Sequence, residues 1–122
     1  MFELSVKARF SAAHQLLDYP GNCARFHGHN WEVTVTLRGD RLNRLGICLD
    51  FREIKQKLEM LIAELDHTML NQHPAFKDQN PTSETLARHL FQSLRKELTG
   101  QPVEIARVTV AENSDFSASY WE

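Results

Sequence analysis

His27 and His29 stand two residues apart, with Gly28 between them, in a stretch that alternates apolar and polar residues. Side chains i and i+2 of a strand share one face, so both imidazoles leave the same side of the backbone. His14 closes an earlier alternating stretch, on the parity of its apolar residues. A hairpin between the two stretches brings three imidazoles together. Three neutral imidazoles suit Zn2+, at about 2.0–2.1 Å per nitrogen, and leave one tetrahedral position open. The competing reading is three ordinary polar strand residues, because His-x-His is by itself a weak signal. Their place on otherwise apolar faces favours a ligand, since an unpartnered imidazole there costs free energy. Gly28 is read as allowing a close backbone approach on the opposite face.

Other residues have the chemistry to move protons. Cys23 lies four residues before His27, in a loop marked by Asp18, Pro20, Gly21 and Asn22. A thiol beside a cation loses its proton more readily than the ordinary pKa of about 8.5 implies. Next to an open metal position, the thiolate can take a proton from a substrate carbon. Cys23 has two other readings: a structural thiol, or a fourth metal ligand. Cys48, inside Ile47–Cys48–Leu49, reads as core. Asp66–His67 ends a predicted helix. Either the helix dipole favours His there, or Asp66 orients His67 as an acid or base. Glu112 ends a strand on the parity of Val108 and Val110, so its carboxylate needs a partner. A Lys or Arg would serve; so would a guanine-like ring offering two parallel N–H donors. His73 and His89 fit no spacing and read as surface residues.

The elements that must position these residues follow from periodicity. Leu4, Val6, Ala8, Phe10 and Ala12 alternate with polar residues, as do Trp31, Val33, Val35 and Leu37, which predicts two half-buried strands. Ile47–Cys48–Leu49 reads as a short third. Apolar residues at three and four spacing predict a helix over 51–65, with Asp50 and Glu53 as its capping box. A second helix is predicted from about Thr82 to Leu98, with Gly100 as its stop. Val103–Glu112 is a strand whose parity shifts near Ala106, which indicates a bulge. Phe116, Ala118 and Tyr120 mark the last strand. The order predicts an α+β domain spanning 1–122, with two helices on one face of an antiparallel four-stranded sheet.

Composition narrows the partners. The chain has 122 residues, 14 Lys and Arg, 16 Asp and Glu, and a formal charge of −2. That balance argues against nucleic acid, which favours a basic surface. No apolar run approaches the ~18 residues of a membrane span, and the first twenty residues show no secretory pattern. Two cysteines are too few for a disulfide scaffold, so a reducing, cytoplasmic setting is expected.

Six segments resemble one family. They are Phe10–Ser11–Ala12–Ala13–His14, Cys23 to Asn30, Leu49–Asp50–Phe51, Leu65 to Asn71, Asn80 to Glu84, and Val110–Ala111–Glu112. In this order they are similar to the family of 6-pyruvoyltetrahydropterin and 6-carboxytetrahydropterin synthases. The resemblance implies a tunnelling fold, with sheets paired between subunits into a barrel, trimers stacked as a hexamer, and active sites between subunits. It implies zinc on His14, His27 and His29, Cys23 as proton acceptor, Asp66 and His67 as a relay pair, and Glu112 as anchor of the pterin ring. The implied substrate is 7,8-dihydroneopterin triphosphate. Three residues separate Cys23 from His27, which is similar to the bacterial carboxy branch that serves queuosine synthesis. Asn113 and the tail Tyr120–Trp121–Glu122 depart from the family pattern.

Four other readings compete. They are the pyruvoyl-forming sibling, a side-chain-cleaving aldolase, a non-catalytic pterin-binding module, and a zinc hydrolase. The hydrolase ranks last because no His-Glu-x-x-His is present. Position alone offers Arg25 for the triphosphate.

Overall fold

The computed structural model describes residues 1–18 and 25–122. The described chain runs β1 (Phe2–His14), β2 (His27–Gly39), α1 (Phe51–Ala63), β3 (Thr68–Met69), two 3-10 turns (Leu70–Gln72 and Pro74–Phe76), α2 (Ser83–Glu97), β4 (Glu104–Ala111) and β5 (Ser117–Tyr120). The strands form one sheet in the order β3-β1-β2-β4-β5. β1 and β2 pair antiparallel along their whole length, from Phe2 opposite Gly39 to His14 opposite His27.

The sheet has five strands rather than four, and it is mixed. β3 runs parallel to β1, through Ala12–Thr68 and Ala13–Met69. Two residues are too few to alternate, so period-2 reading misses this strand. Ile47–Cys48–Leu49 is not a strand. The Asn43 carboxamide accepts from the Leu45 and Ile47 amides at 2.8 and 3.1 Å, and Gly46 turns the chain at φ +79°. The apolar run instead puts Leu49 in the core with Cys48 packed against it. The bulge at Ala106 is present: Thr36 faces Arg107, whereas Leu37 faces Ile105.

Alternation sets the core. Leu4, Val6, Ala8, Phe10 and Ala12 are buried on one face of β1, as are Trp31, Val33, Val35 and Leu37 on β2. Residues Ser5, Lys7 and Arg9 on the other parity are exposed. α1 buries Ile54, Leu58 and Ile62, and α2 buries Leu86, Ala87, Leu90, Phe91 and Leu94. Asp50 caps α1 through the Arg52 amide at 2.8 Å. Glu53 is no capping-box partner; it accepts from the Gln101 carboxamide at 3.1 Å. The box occurs at α2, where Thr82 and Thr85 cap each other's backbone amides. Gly39 ends β2 where a Cβ would meet Cys48 Sγ and lie 2.9 Å from the Pro102 carbonyl oxygen.

Candidate metal and proton-transfer site

His14 and His27 face each other on the last rung of the β1–β2 hairpin, and His29 follows two residues on along β2. The ligand atoms of the three lie within 4.8 Å of one another. His14 is buried, and His27 and His29 are half-buried. Trp31 forms the floor: its ring meets those of His14 and His29 edge-on, at 5.0 and 5.3 Å between centroids. Its indole N–H donates to the Ala12 carbonyl at 3.2 Å, so the floor is tied to β1.

The hydrogen bonds fix which nitrogens face the centre. His14 Nδ1 lies 2.8 Å from the Pro81 carbonyl oxygen, and His27 Nδ1 lies 2.8 Å from that of Arg25. A carbonyl only accepts, so each Nδ1 must carry the hydrogen and each neutral ring turns a lone pair inward through Nε2. Those two Nε2 atoms are 2.8 Å apart. Facing lone pairs repel unless a cation lies with them. His29 Nε2 is buried without a hydrogen-bond partner, although Glu112 Oε2 stands 3.2 Å away as a charge contact. Burial holds His14 and His29 below the usual imidazole range; in both, the Glu112 carboxylate opposes that shift. Neutral imidazoles with inward lone pairs are the donor set Zn2+ takes. The residues fit the ion.

Asp66 and His67 stand at the edge of β1. The Ser11 amide donates to Asp66 Oδ1 at 2.9 Å, and the His67 amide donates to the Ser11 carbonyl at 2.6 Å. His67 Nδ1 lies 3.0 Å from Asp66 Oδ1. The Asp66 carboxyl is held below the usual carboxylate range, first by the Ser11 amide and then by His67. His67 has φ +57°, a left-handed conformation uncommon for a residue with a side chain. Its side chain is 80% exposed. With His29 of the triad, and with Ser11, Ala13, Gly28, Asn30 and Thr68, it lines an open depression of about 430 Å³. Among the described residues no hydrogen bond or ion pair joins His67 to the histidine triad.

Two readings change. Among the described residues a Cβ on Gly28 would meet nothing within 4 Å, so no described backbone approaches closely there. His73 and His89 are half-buried rather than surface residues. Their rings meet edge-on at 5.2 Å, and Phe76 packs against both. Arg25 is exposed, and its carbonyl meets the site through His27 Nδ1. Cys23 lies outside the described residues. Asn113, one of the departures, accepts from the Asp115 and Phe116 amides at 2.8 and 3.0 Å and so shapes the β4–β5 turn. Sequence reasoning missed Ser11, Pro81 and the Arg25 carbonyl, because backbone groups that orient a side chain carry no residue signature.

The sequence profile described as 6-pyruvoyl tetrahydropterin synthase matches residues 3–122. A 6-carboxy-5,6,7,8-tetrahydropterin synthase of Synechocystis is 36% identical over 117 residues, covering 92% of this chain and 87% of the relative. A dihydroneopterin monophosphate aldolase of Pyrococcus furiosus is 30% identical over 110 residues, covering 90% of this chain and 89% of the relative. The structure of Caenorhabditis elegans 6-pyruvoyl tetrahydropterin synthase superposes with a TM-score of 0.87 at 27% identity, over 99% of this chain and 95% of the other. Among the described residues no helix is long and apolar enough to cross a membrane.

Proposed function

We infer the reaction from a premise the comparisons establish: the chain belongs to the 6-pyruvoyl tetrahydropterin synthase family. Residues 1–122 act as one cytoplasmic synthase domain that converts 7,8-dihydroneopterin triphosphate and water to 6-carboxy-5,6,7,8-tetrahydropterin, acetaldehyde and triphosphate, on the route to queuosine. The triad carries this reading, because its two Nδ1–carbonyl bonds commit His14 and His27 to presenting Nε2 lone pairs. The Synechocystis relative's name supports the carboxy product.

His14, His27 and His29 hold the ion. Bound zinc supplies Lewis acidity toward the side-chain oxygens of the substrate. Glu112, at 31% side-chain exposure beside His29, accepts the two N–H groups of the pterin ring. Cys23 takes the proton from the substrate side chain. Asp66 orients His67, which returns a proton during the rearrangement. The ring gains the two hydrogens that the side chain loses, so no external reductant is needed. Triphosphate leaves by elimination, and water is consumed when acetaldehyde departs.

The exposed His67 fits a site completed by a second copy. The outer edges of β5 and of β1 before Ser11 have no strand beside them among the described residues, which supports sheet pairing between copies; the proposed assembly is a hexamer of stacked trimers. A second reading is cleavage of the side chain alone, favoured by the aldolase relative. Cys23→Ala tests the proton role. The variant is expected to keep stoichiometric zinc and lose turnover; near-wild-type turnover contradicts it.

A further inference from the structure

The edge of β1 near the triad is closed in an unusual way. Alternate residues of an extended strand turn their N–H and C=O to the same edge, here Ser11 and Ala13, and Gln15 and Leu17 follow beyond the end of β1. Asp66 and His67 take both groups of Ser11. β3 covers Ala12 and Ala13. Among the described residues no strand lies beside residues 15–18, and two side-chain amides continue the pattern. The Gln15 amide donates to Asn71 Oδ1 at 2.8 Å, and Asn71 Nδ2 donates to the Gln15 carbonyl at 2.9 Å. The Leu17 amide donates to Asn80 Oδ1 at 2.9 Å, and Asn80 Nδ2 donates to the Leu17 carbonyl at 3.0 Å. Each carboxamide stands in for a peptide unit, one acceptor and one donor in a plane.

Asn80 has a neighbour that Asn71 lacks. Pro81 follows it, and the Pro81 carbonyl accepts from His14 Nδ1 at 2.8 Å. Leu17 lies three residues after His14. Residues 14–17 and 80–81 therefore close a ring, held at one end by the imidazole and at the other by the Asn80 amide pair. The ring fixes the Pro81 carbonyl relative to the backbone of His14. That carbonyl sets the tautomer and direction of the imidazole, and such outer contacts tune a metal ligand.

We propose that Asn80 is a positioning residue of the metal site, acting through Pro81 on His14. This rests on reading His14 as a ligand. It predicts that zinc affinity depends on a side chain that never touches the ion. Asp and Ser at this position both fail: a carboxylate cannot donate to the Leu17 carbonyl, and a hydroxymethyl is too short to span the pair. The bonds of Asn80 are exposed, so their loss costs little stability. Asn71→Asp removes the same kind of pair one rung earlier without touching Pro81.

The test measures zinc affinity by competition with a chromogenic chelator, beside thermal melting of the metal-free chain. Wild type is measured first, and failure to bind zinc overturns both the ligand reading and the proposal. Given wild-type binding, Asn80→Asp and Asn80→Ser are expected to weaken zinc about tenfold. Their metal-free melting stays near wild type, and Asn71→Asp keeps wild-type affinity. Unchanged affinity in both Asn80 variants overturns the proposal. So does an equal loss in Asn71→Asp, which marks the amide pairs as structural clamps only.

Discussion

His14 and His27 meet across the last rung of the hairpin with their Nε2 atoms 2.8 Å apart and each Nδ1 bound to a backbone carbonyl. Neither ring can reverse its tautomer without losing that bond, so the pair is built to share a cation. His27→Ala removes one of three ligands and is expected to lose stoichiometric zinc in metal analysis. Retention of one zinc per chain contradicts the ligand assignment. In wild type, stripping the ion with a chelator should lower the melting temperature, because a ligand bound only by the folded state stabilises it.

Asp66 accepts from the Ser11 amide of β1 and pairs with His67 Nδ1, while its own amide donates to the Ile62 carbonyl of α1. Its carboxyl is held below the usual range. Protonation is therefore harder in the folded chain than in the unfolded one. The stabilisation is present above the ordinary carboxyl value and is lost as pH falls through the lower folded value. Asp66→Asn should be less stable than wild type at neutral pH, and the gap should close below about pH 4. Denaturant midpoints along a pH series check this; a gap independent of pH contradicts it. Turnover should fall as well, since an amide orients His67 poorly.

The long strands were legible because alternation over eight or more residues has one reading, and the His14–His27–His29 cluster followed from it. Helix α2 was legible from its leucine stripe. β3 and the Asn43 turn were not, because a two-residue strand and a side-chain-capped loop are set by what docks on them. The carbonyls of Pro81 and Arg25 had no signal at all. For Asp66, His67 and Glu112 residue chemistry left two readings each, and the resemblance chose between them. Geometry adds the Ser11 contacts of the first two and the His29 contact of the third.

His89 shows how a residue without a sequence pattern can matter. It lies half-buried on α2 against His73 and Phe76. Burial lowers its pKa, His73 adds to that, and Glu64 opposes it. The neutral ring is favoured in the fold. Its contribution is complete above the ordinary value of 6.5 and falls as pH drops below it. His89→Phe should flatten the stability profile between about pH 6.5 and pH 5. Identical slopes in wild type and variant would refute this.

Trp31 is fully buried beneath the triad. Trp31→Ala is expected to cost about 3–5 kcal/mol of stability, from lost burial and the cavity left behind. Trp31→Phe keeps a ring but loses the bond to the Ala12 carbonyl, so its loss should be smaller. Denaturant unfolding measures both, and equal losses contradict the packing argument.

Product analysis tests the central claim most directly. The zinc-loaded protein is given 7,8-dihydroneopterin triphosphate, acetaldehyde is trapped, and pterins are identified by mass spectrometry. The account predicts 6-carboxytetrahydropterin, with acetaldehyde and triphosphate released in equal amounts. Lasting 6-pyruvoyltetrahydropterin without acetaldehyde, or zinc binding without turnover, would contradict it.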